Sequence, residues 1–370
     1  MSWSGAYDAA VIGGGPAGLT AATVLARAGA RVALFDARSP GQHLTRMETL
    51  ETRLRFDLAK FAALGAIEGA NAIAVPAIAS TWSGRVQYQR PSILNPHGPS
   101  CHVERIAFRS RLAMMAVDAG VKFFLRGRAH ANSSPAGWRV TCGPCLVEAA
   151  FLILATGRDA LPIASHVTRR SADRLVAALG CARQMQNDRD LRLVVEAAAT
   201  GWWYRCPSRE GHQLVFLSDA DLLRGKVRSG KSWFLEHALT AELTRGFFVD
   251  THVRIVAADT YCRDAVIGPN VVLIGDAAMA GDPLSGQGVT RAVSSGLRAA
   301  AIALSRGKDR EAALIAYSDE VKNRFVEFLN ALLLTYGQVS RWQNSPFWLR
   351  RRRVPSYYAP SWAGGLPYTS

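Results

Sequence analysis

Six residues near the start of the chain have the types and the spacing of a phosphate-binding turn. The sequence Gly-Gly-Gly-Pro-Ala-Gly at residues 13–18 follows an apolar run at residues 7–12 and precedes a stretch rich in Ala and Leu. Gly13 would allow a tight turn, Gly15 would let the backbone approach a pyrophosphate, and Gly18 would let a helix pack closely on a strand. The N–H groups at the start of that helix would face the phosphates.

An acidic residue completes this pattern. A second apolar strand, residues 31–35, ends at Asp36, where a carboxylate can accept hydrogen bonds from both hydroxyls of a ribose. The order of strand, glycine turn, helix, strand and acid predicts dinucleotide binding. The predicted cofactor-binding residues in this part of the chain are Gly13, Gly15, Pro16, Ala17, Gly18, Asp36, Ala37 and Arg38.

A second cluster with cofactor-binding character lies far along the chain. An apolar strand at residues 271–274 leads into a Gly-Asp pair, and residues 282–288 read Asp-Pro-Leu-Ser-Gly-Gln-Gly before a helix rich in Ala and Val. Another buried strand, at residues 151–155, ends in a Thr-Gly pair. The candidate residues here are Thr156, Gly157, Gly275, Asp276, Pro283, Gly286, Gln287, Gly288 and Val289.

Together these motifs resemble the FAD-binding fold of class A flavoprotein monooxygenases, geranylgeranyl reductases and flavin-dependent halogenases. The resemblance implies that Asp276 contacts the ribityl chain of FAD and that the backbone of residues 283–289 lies beside the flavin pyrimidine ring. N–H donors and a helix N-terminus stabilise negative charge there. It also implies FAD contacts for Arg105 and for the backbone near Arg128 and Ala129, while Arg111 fits either an FAD contact or a solvated helix face. A dehydrogenase that binds NAD alone has no need of the second cluster, so we predict FAD as the cofactor.

Length and composition are those of a folded globular protein of about two domains. The chain has 370 residues, of which 49% are hydrophobic and 20% are charged, which excludes disorder. Six cysteines are too few for a disulfide scaffold. No apolar run reaches the ~18–20 residues that cross a bilayer, and no signal peptide is evident. We therefore expect a cytoplasmic protein without a transmembrane segment.

The scattered motifs predict an α/β fold with a discontinuous cofactor domain. A Rossmann-like FAD-binding domain of the GR2/PHBH type would comprise residues 1–75, 100–165 and 265–310. An inserted, mainly antiparallel β-sheet substrate domain would comprise residues 76–99 and 166–264, because the stretches 193–198, 201–205 and 213–218 alternate apolar and polar residues. Residues 311–370 would form a C-terminal helix and an aromatic and basic tail.

A Cys-Gly-Pro-Cys sequence at residues 142–145 could indicate a redox or zinc site. A reactive pair is typical of a helix N-terminus, and a zinc site needs further ligands at suitable spacing. This sequence instead lies between two apolar stretches, where Gly-Pro is ordinary turn chemistry. We interpret it as a hairpin turn and predict no metal site.

The segment Gly-Trp-Trp-Tyr-Arg-Cys-Pro at residues 201–207 supplies candidates for a substrate pocket. Adjacent residues of a strand point to opposite faces, so one tryptophan would face a core and the other a pocket. Trp203, Arg205 and His97 are the predicted pocket residues, and the catalytic residues remain unknown. His97 and His102 could each be an acid or base near the flavin, although most such histidines are surface or packing residues.

The same segment, residues 201–207, helps to distinguish between groups of flavoproteins that the chain resembles. Tryptophan halogenases carry a Gly-Trp-x-Trp-x-Ile-Pro sequence and a lysine soon after the second nucleotide strand. Here the tryptophans are adjacent and no lysine lies between Asp36 and Lys60. Short segments at residues 95–98, 173–176, 201–204, 219–221, 340–342 and 347–348 resemble flavoproteins that hydroxylate a protein tryptophan in tryptophylquinone (cysteine tryptophylquinone) cofactor biogenesis.

The resemblance implies an FAD-dependent monooxygenase, an oxidoreductase that hydroxylates an electron-rich aromatic ring. The substrate would be a tryptophan of a protein or peptide, modified after translation during quinone cofactor maturation. The reductant would be external: NAD(P)H, or a reduced flavin or electron-transfer partner. The alternatives are a reductase of the geranylgeranyl type and a flavoprotein chaperone or halogenase-like enzyme.

The net charge points to the kind of partner. Lys and Arg number 44 against 29 Asp and Glu, a formal net charge of +15, and such an excess attracts anionic partners. The charge alone leaves nucleic acid, an anionic membrane surface, an acidic protein and an anionic cofactor open as partners. The resemblance implies an acidic protein or peptide substrate, and we expect no nucleic acid. The run of four arginines at residues 350–353 is either a docking patch for that partner or a solvated basic tail.

Overall fold

The computed structural model describes residues 2–37, 47–125, 127–159, 167–184, 190–208, 211–228, 233–235, 244, 247–249, 253–268 and 270–352. Arg38 and the tail from Arg353 onward, which the sequence predictions include, lie outside these residues. Within them the chain forms a mixed α/β structure with two eight-stranded sheets and two three-stranded sheets. This confirms the predicted fold class.

The first eight-stranded sheet is mainly parallel and carries the glycine turn. Along the sheet the strands are β20 (Val266–Gly268), β21 (Val271–Leu273), β11 (Cys145–Leu154), β1 (Ser2–Ile12), β2 (Val32–Phe35) and β8 (Lys122–Phe124). Strands β10 (Gly137–Cys142) and β9 (His130–Ser134) extend from β11 as an antiparallel meander. The carboxyl-terminal halves of β1 and β11 and the whole of β2 are buried. Strands covered on both faces read as continuous apolar runs, which is why the sequence predicted them.

Helices cover this sheet and position its turns. They are α1 (Pro16–Arg27), α2 (Leu54–Ala59), α3 (Gly65–Glu68), α4 (Arg105–Asp118), α6 (Gly288–Leu304) and α7 (Gly307–Gly337). Helices α1 and α6 pack closely at Gly296, where a Cβ atom would lie 2.5 Å from the carbonyl oxygen of Ala17. Gly18 likewise faces the carbonyl oxygen of Gly13 with no room for a side chain. The third glycine of the motif therefore lets α1 pack closely on the glycine turn.

The second eight-stranded sheet is antiparallel except for one pair. Its order is β17 (Phe247–Val249), β13 (Leu175–Gln184), β16 (Gly211–Asp219), β15 (Gly201–Ser208), β14 (Leu193–Ala198), β5 (Ala77–Thr81) and β6 (Tyr88–Pro91), and β18 (Arg254–Ala257) also pairs with β13. Strands β5 and β14 are parallel and join the two separate stretches of chain that build this sheet. The predicted domain boundaries remain a proposal, which this division of strands supports.

Small sheets connect the two large ones. One contains β12 (Arg169–Ser171), β19 (Tyr261–Arg263) and β22 (Met279–Ala280), and the other contains β3 (Met47–Leu50), β7 (Cys101–Glu104) and β4 (Ile73–Ala74). Helix α5 (Ala220–Arg228) follows β16, and α8 (Pro346–Arg350) is the last helix in the described part of the chain. No helix among the described residues is both long and apolar enough to span a membrane.

The C-terminal segment packs on the second sheet. The indole N–H of Trp348 donates to the carbonyl oxygen of Ala198 at 2.9 Å, and Arg341 donates to that of Thr81 at 2.8 Å. Trp82, on the same surface, contacts the rings of Trp202 and Trp348 edge to face. The last described residues thus cover one face of the sheet that the sequence assigned to the substrate.

The arginine run has an intramolecular role in this structure. Arg351 is buried and pairs with the buried carboxylate of Asp219 at 2.7 Å, and Arg350 pairs with Asp219 and Asp221 at 2.9 and 2.7 Å. A buried carboxylate needs a counter-charge, which these side chains supply. Arg351 is buried, so neither an exposed docking patch nor a solvated tail describes it. Arg350 is exposed although it forms these ion pairs, and its role in docking stays a prediction.

The Cys-Gly-Pro-Cys sequence forms the predicted turn. Cys142 and Cys145 are paired across the β10–β11 hairpin, and Gly143 has a positive φ of 55°. The thiol of Cys142 donates to the carbonyl oxygen of Gly127 at 3.3 Å. In the part of the chain that the structure describes, no group of three or more His, Cys, Asp or Glu side chains could hold a metal ion.

Candidate functional site

A cavity of about 850 Å³ lies between the two large sheets. One wall comes from the carboxyl ends of the parallel strands, at Ile12, Phe35 and Ile274. The opposite wall is a face of the second sheet, with Tyr204 and Val215 among its residues. In open α/β sheets ligands bind at the carboxyl ends of the strands, and this volume is near the upper end of the ~300–1,000 Å³ of small-molecule pockets.

The structure brings nearly all the predicted cofactor residues together at this cavity, although they come from four separate stretches of chain. Two do not line it: Gly18 packs beneath the turn, and Arg38 lies outside the described residues. Those that line it are Gly13, Gly15, Pro16, Ala17, Asp36, Ala37, Arg105, Ala129, Thr156, Gly157, Gly275, Asp276, Pro283, Gly286, Gln287, Gly288 and Val289. Arg111 does not line the cavity and instead donates to the carbonyl oxygen of Gly69 at 3.1 Å.

Two helix N-termini open onto the cavity. Helix α1 begins after Gly15 and α6 after Gln287, and neither residue caps its helix with a side-chain hydrogen bond within the described structure. The first turns of both helices also contain no acidic residue. Their free N–H groups and positive dipole ends therefore suit anionic groups of a ligand. Gly13 has a φ of +117° and its backbone lies directly against that of Ala155, which only glycine permits.

Sequence reasoning missed Arg109, a residue of helix α4 that contacts the glycine turn. Its Nη2 pairs with the carboxylate of Asp36, and its Nε donates to the carbonyl oxygen of Gly14 at 2.7 Å. Arg109 therefore holds the acid of the motif against the glycine turn. It lies four residues after Arg105, on the same face of α4, and this spacing was the available signal. Arg105 itself pairs with Glu48 at 3.1 Å.

On the opposite wall the structure corrects two predicted pocket residues. Trp203 does not line the cavity but packs in a separate core, with its ring centroid 4.6 Å from that of Phe216. Arg205 is buried on the same side as Trp203 and pairs with Asp190. Side chains alternate along β15, so Trp202 and Tyr204 face the cavity instead. The sequence predicted that the two tryptophans would separate, but it assigned them to the wrong faces.

His97 lines the cavity, as predicted, and is exposed at its edge. Its ring meets that of Phe56 edge to face at 5.4 Å. His102 is buried and shares a hydrogen bond of 3.0 Å between its Nδ1 and the hydroxyl of Thr49. Burial lowers the pKa of His102 to about 4, with a smaller contribution from His212, so its imidazole is neutral near pH 7.

A chain of three buried side chains connects the two walls. The indole N–H of Trp202 donates to the hydroxyl of Tyr336 at 2.8 Å, and that hydroxyl donates to Oδ2 of Asp282 at 2.8 Å. The other carboxylate oxygen of Asp282 accepts from the N–H of Leu284 at 2.9 Å. Burial, and secondarily the carboxylate of Asp173, raises the pKa of Asp282 to about 6. Tyr336 lies on α7, far from both partners in sequence, and no sequence pattern indicated its role.

The chain matches two family models. The FAD binding domain matches residues 6–84, and the tryptophan halogenase model matches residues 62–360. The second match covers most of the chain.

The protein belongs to the tryptophan halogenase family. No curated protein matches it closely enough to add to this assignment.

Solved structures of this family and its relatives share the fold. The peptidyl tryptophan dihydroxylase QhpG is 24% identical, with 94% of this chain and 79% of that chain covered and a TM-score of 0.77. The myxobacterial chondrochloren halogenase CndH is 19% identical, with 97% and 88% covered and a TM-score of 0.83. The halogenase BrvH from Brevundimonas sp. BAL3 is 16% identical, with 94% and 81% covered and a TM-score of 0.75.

This member of the tryptophan halogenase family is an FAD-dependent oxidoreductase, and the cavity fits FAD on its own chemistry. Two buried N–H groups of Arg291, at Nε and Nη1, have no hydrogen-bond partner among the described residues, although Arg291 lines the cavity. An unsatisfied buried donor costs about 1–3 kcal/mol, more for a charged group, which a ligand acceptor would recover. With the glycine turn and the two helix N-termini, the cavity offers donors to an anionic dinucleotide along its length.

Several acidic side chains that line the cavity were not predicted as site residues, and Glu51 is one of them. Glu51 is half-buried and lines the cavity. Burial raises the pKa of Glu51, although hydrogen bonds from Gln287 and Thr290 and the charge of Arg291 act in the opposite direction. A carboxylate beside the predicted flavin turn is able to hold a proton close to a bound ring.

Proposed function

We propose that this enzyme hydroxylates an electron-rich aromatic ring, the side chain of a tryptophan in a protein or peptide that matures into a quinone cofactor. The observation that carries this proposal is the wall opposite the cofactor motifs. Val195, Tyr204, Val215 and Leu179 form an apolar row across it. Trp202, also on this wall, has its N–H committed to Tyr336. Such a wall suits a flat apolar ring and excludes water from it.

FAD, when bound and reduced by an external donor, would supply the activation of dioxygen and the transfer of one oxygen atom to the ring. Gly13, Gly15 and Arg109 with Asp36 would hold the nucleotide half. The start of α6, including Gln287, would hold the flavin half. The second sheet would orient the substrate ring, and the carboxylate of Glu51 would hold the proton that the ring loses.

A likeness to QhpG supports hydroxylation over halogenation, because that protein is a peptidyl tryptophan dihydroxylase essential for tryptophylquinone cofactor biogenesis. The cavity supports it as well. No lysine lines the cavity among the described residues, and none occurs between Asp36 and Lys60 in the whole sequence. Tryptophan halogenases carry a lysine in that stretch.

Halogenation is the second candidate, and the match to the tryptophan halogenase model favours it. One assay separates the two. The FAD-loaded protein is given a reductant, dioxygen and a tryptophan-containing peptide, with and without chloride or bromide, and the peptide is analysed by mass spectrometry. We expect the tryptophan to gain oxygen regardless of halide. Halide-dependent incorporation of chlorine or bromine would overturn the proposal, and so would an unmodified peptide under conditions in which the bound flavin is reduced and reoxidised.

A further inference from the structure

We propose that the edge strand β6 of the second sheet, together with residues 86–87 before it and the 3-10 turn Ser92–Leu94 after it, is the surface on which an extended, acidic peptide substrate docks. This inference rests on the proposed function and adds to it the place and the mode of recognition. The surface, here called the rim, comprises the exposed side chains of Phe56, Val86, Tyr88, Arg90, Ile93 and Leu94.

The rim exposes an unusual amount of apolar surface. Val86 is 86% exposed, Ile93 is 90% exposed, and Tyr88 and Leu94 are each 70% exposed. Phe56, from helix α2, is 53% exposed and reaches the same region through its contact with His97. Single exposed apolar residues are normal, but several within nine residues of chain indicate a binding surface.

The rim is continuous with the cavity through the register of the second sheet. Tyr88 is paired with Ser80, Ser80 with Val195, and Val195 with Tyr204. Paired residues share a face of the sheet, so Tyr88 stands at the outer end of a row that leads to Tyr204 in the cavity. A neighbouring row begins with Arg90, which itself lines the cavity. A side chain of a peptide bound at the rim therefore has a direct path along this face of the sheet to the site.

The backbone of β6 is open to pairing. Strand β6 lies at the end of its sheet, and β5 is its one partner among the described strands. The N–H of Ser92 donates to the carbonyl oxygen of Pro76, next to the Ala77–Pro91 pair. In an antiparallel pair hydrogen-bonded and non-bonded positions alternate, so the N–H and C=O of Gln89 point away from β5. An extended peptide can bind such an edge by adding a strand.

The charge of the rim selects an acidic occupant. Between residues 76 and 100 the chain contains no Asp or Glu, and its two charged side chains, Arg85 and Arg90, are both exposed. Arg53 and Arg55 are exposed on the adjoining helix and loop. The nearby Asp57 is buried and pairs with Lys60 at 2.6 Å. A strand with acidic side chains complements this surface, whereas a basic strand is repelled.

The test uses the FAD-loaded protein and a short labelled synthetic peptide with one central tryptophan flanked by Asp and Glu. A peptide with Lys and Arg in place of the acids is its matched control. The dissociation constant is measured by fluorescence anisotropy for wild type, for Ile93→Asp and for Ile315→Asp, which places the same charge on a comparably exposed apolar residue of α7. FAD content and unfolding temperature show that each variant is folded.

We expect Ile93→Asp to weaken binding of the acidic peptide by about tenfold, which corresponds to about 1.4 kcal/mol. Ile315→Asp should bind like wild type, and the basic peptide should bind more weakly than the acidic one. Hydrogen exchange of the Gln89 amide should slow when the acidic peptide is bound. Equal binding of both peptides, or wild-type binding by Ile93→Asp, would overturn the proposal.

Two further outcomes separate this inference from the proposed function. If the peptide slows hydrogen exchange of the Gln89 amide but its tryptophan is not modified, the rim is still the docking surface and the proposed hydroxylation is refuted. Modification of the peptide without protection of Gln89 would leave hydroxylation in place and refute the rim. A protein dimer that Ile93→Asp dissociates would assign the rim to a second copy of the chain and overturn the peptide as its occupant.

Discussion

At the scale of single residues, one hydroxyl group joins the two walls of the site. Tyr336 accepts from Trp202 and donates to Asp282, so the position of the Asp282–Ser285 turn depends on helix α7. The same helix also contacts the strand before the second cofactor cluster, where Tyr317 donates to the carbonyl oxygen of Leu273 at 2.9 Å. All three side chains are buried, where a lost hydrogen bond is not replaced by water.

Replacing Tyr336 with Phe should therefore lower stability and loosen the cofactor turn. We expect the free energy of unfolding to fall by about 1–3 kcal/mol, because Asp282 loses a donor and the Trp202 N–H loses its acceptor. FAD should also dissociate more readily. Denaturant unfolding and FAD titration measure both effects. The control is Tyr88→Phe, at an exposed hydroxyl, which should change stability by no more than ~0.5 kcal/mol. Unchanged stability in Tyr336→Phe would contradict this role.

Changing Trp202 or Trp203 to Phe should affect KM differently, although both side chains are buried. Trp202→Phe alters the cavity wall and should raise KM for a tryptophan peptide. Trp203→Phe leaves the wall intact but weakens packing against Phe216 and Phe234, so it should lower the free energy of unfolding by about 1–3 kcal/mol with KM little changed. Steady-state kinetics and denaturant unfolding test both. A larger KM effect from Trp203→Phe would reverse the assignment of the two faces.

At the scale of elements, the close packing of α1 on α6 sets the geometry of the cofactor cradle. Both helices begin at the cavity, and Gly296 permits their contact because its missing Cβ would lie 2.5 Å from the backbone of Ala17. The two N-termini can converge on one ligand only if the helices stay at this distance.

Gly296→Ala should push the two helices apart. We expect a loss of about 1–3 kcal/mol in the free energy of unfolding, as for other overpacked sites, together with a lower FAD content after purification. Gly65→Ala is the matched control, since a Cβ atom at Gly65 meets nothing within 4 Å. That variant should keep its FAD and match or slightly exceed wild-type stability. Full FAD content in Gly296→Ala would show that the cradle tolerates a wider spacing.

The elements differ in how far the sequence could predict them. The parallel strands β1, β2, β11 and β21 were predicted because fully buried runs have no polar interruptions. Strand β13 was not predicted from the sequence, although it pairs with three other strands, β16, β17 and β18. The parallel pairing of β5 with β14 joins stretches more than a hundred residues apart, and local patterns contain no information about it. For the same reason the cofactor residues could be found from local motifs, whereas Tyr336 and the cavity face of β15 could not.

At the scale of the whole molecule, two buried histidines should make stability depend on pH. Burial lowers the pKa of both His102 and His212 to about 4, below the ~6.5 of an unfolded chain. As the pH falls from 6.5 to 4, these two histidines bind protons in the unfolded chain but stay neutral in the folded chain. The free energy of unfolding therefore decreases across this pH range. Each histidine contributes up to about 3 kcal/mol to this decrease in the free energy of unfolding. Asp282, whose pKa is raised, has the opposite effect on the free energy of unfolding below pH 6.

His102→Gln should flatten this dependence. We expect the free energy of unfolding to fall less steeply between pH 6.5 and 4 in the variant than in wild type, as followed by denaturant unfolding at several pH values. His97→Gln changes an exposed histidine and should follow the wild-type curve. Parallel curves for His102→Gln and wild type would show that the buried imidazole does not control acid sensitivity.

The packing of the C-terminal segment on the second sheet has a consequence for how the protein is made. Trp82 lies early in the chain and Trp202 near its middle. The segment from Tyr336 to Trp348, which packs on both side chains, is synthesised long after them. During synthesis the sheet can pair its strands, yet its aromatic face stays open to water and to other nascent chains. The protein should therefore depend on chaperones most during the last stage of translation. Chains truncated before residue 336 should aggregate rather than fold into a smaller flavoprotein.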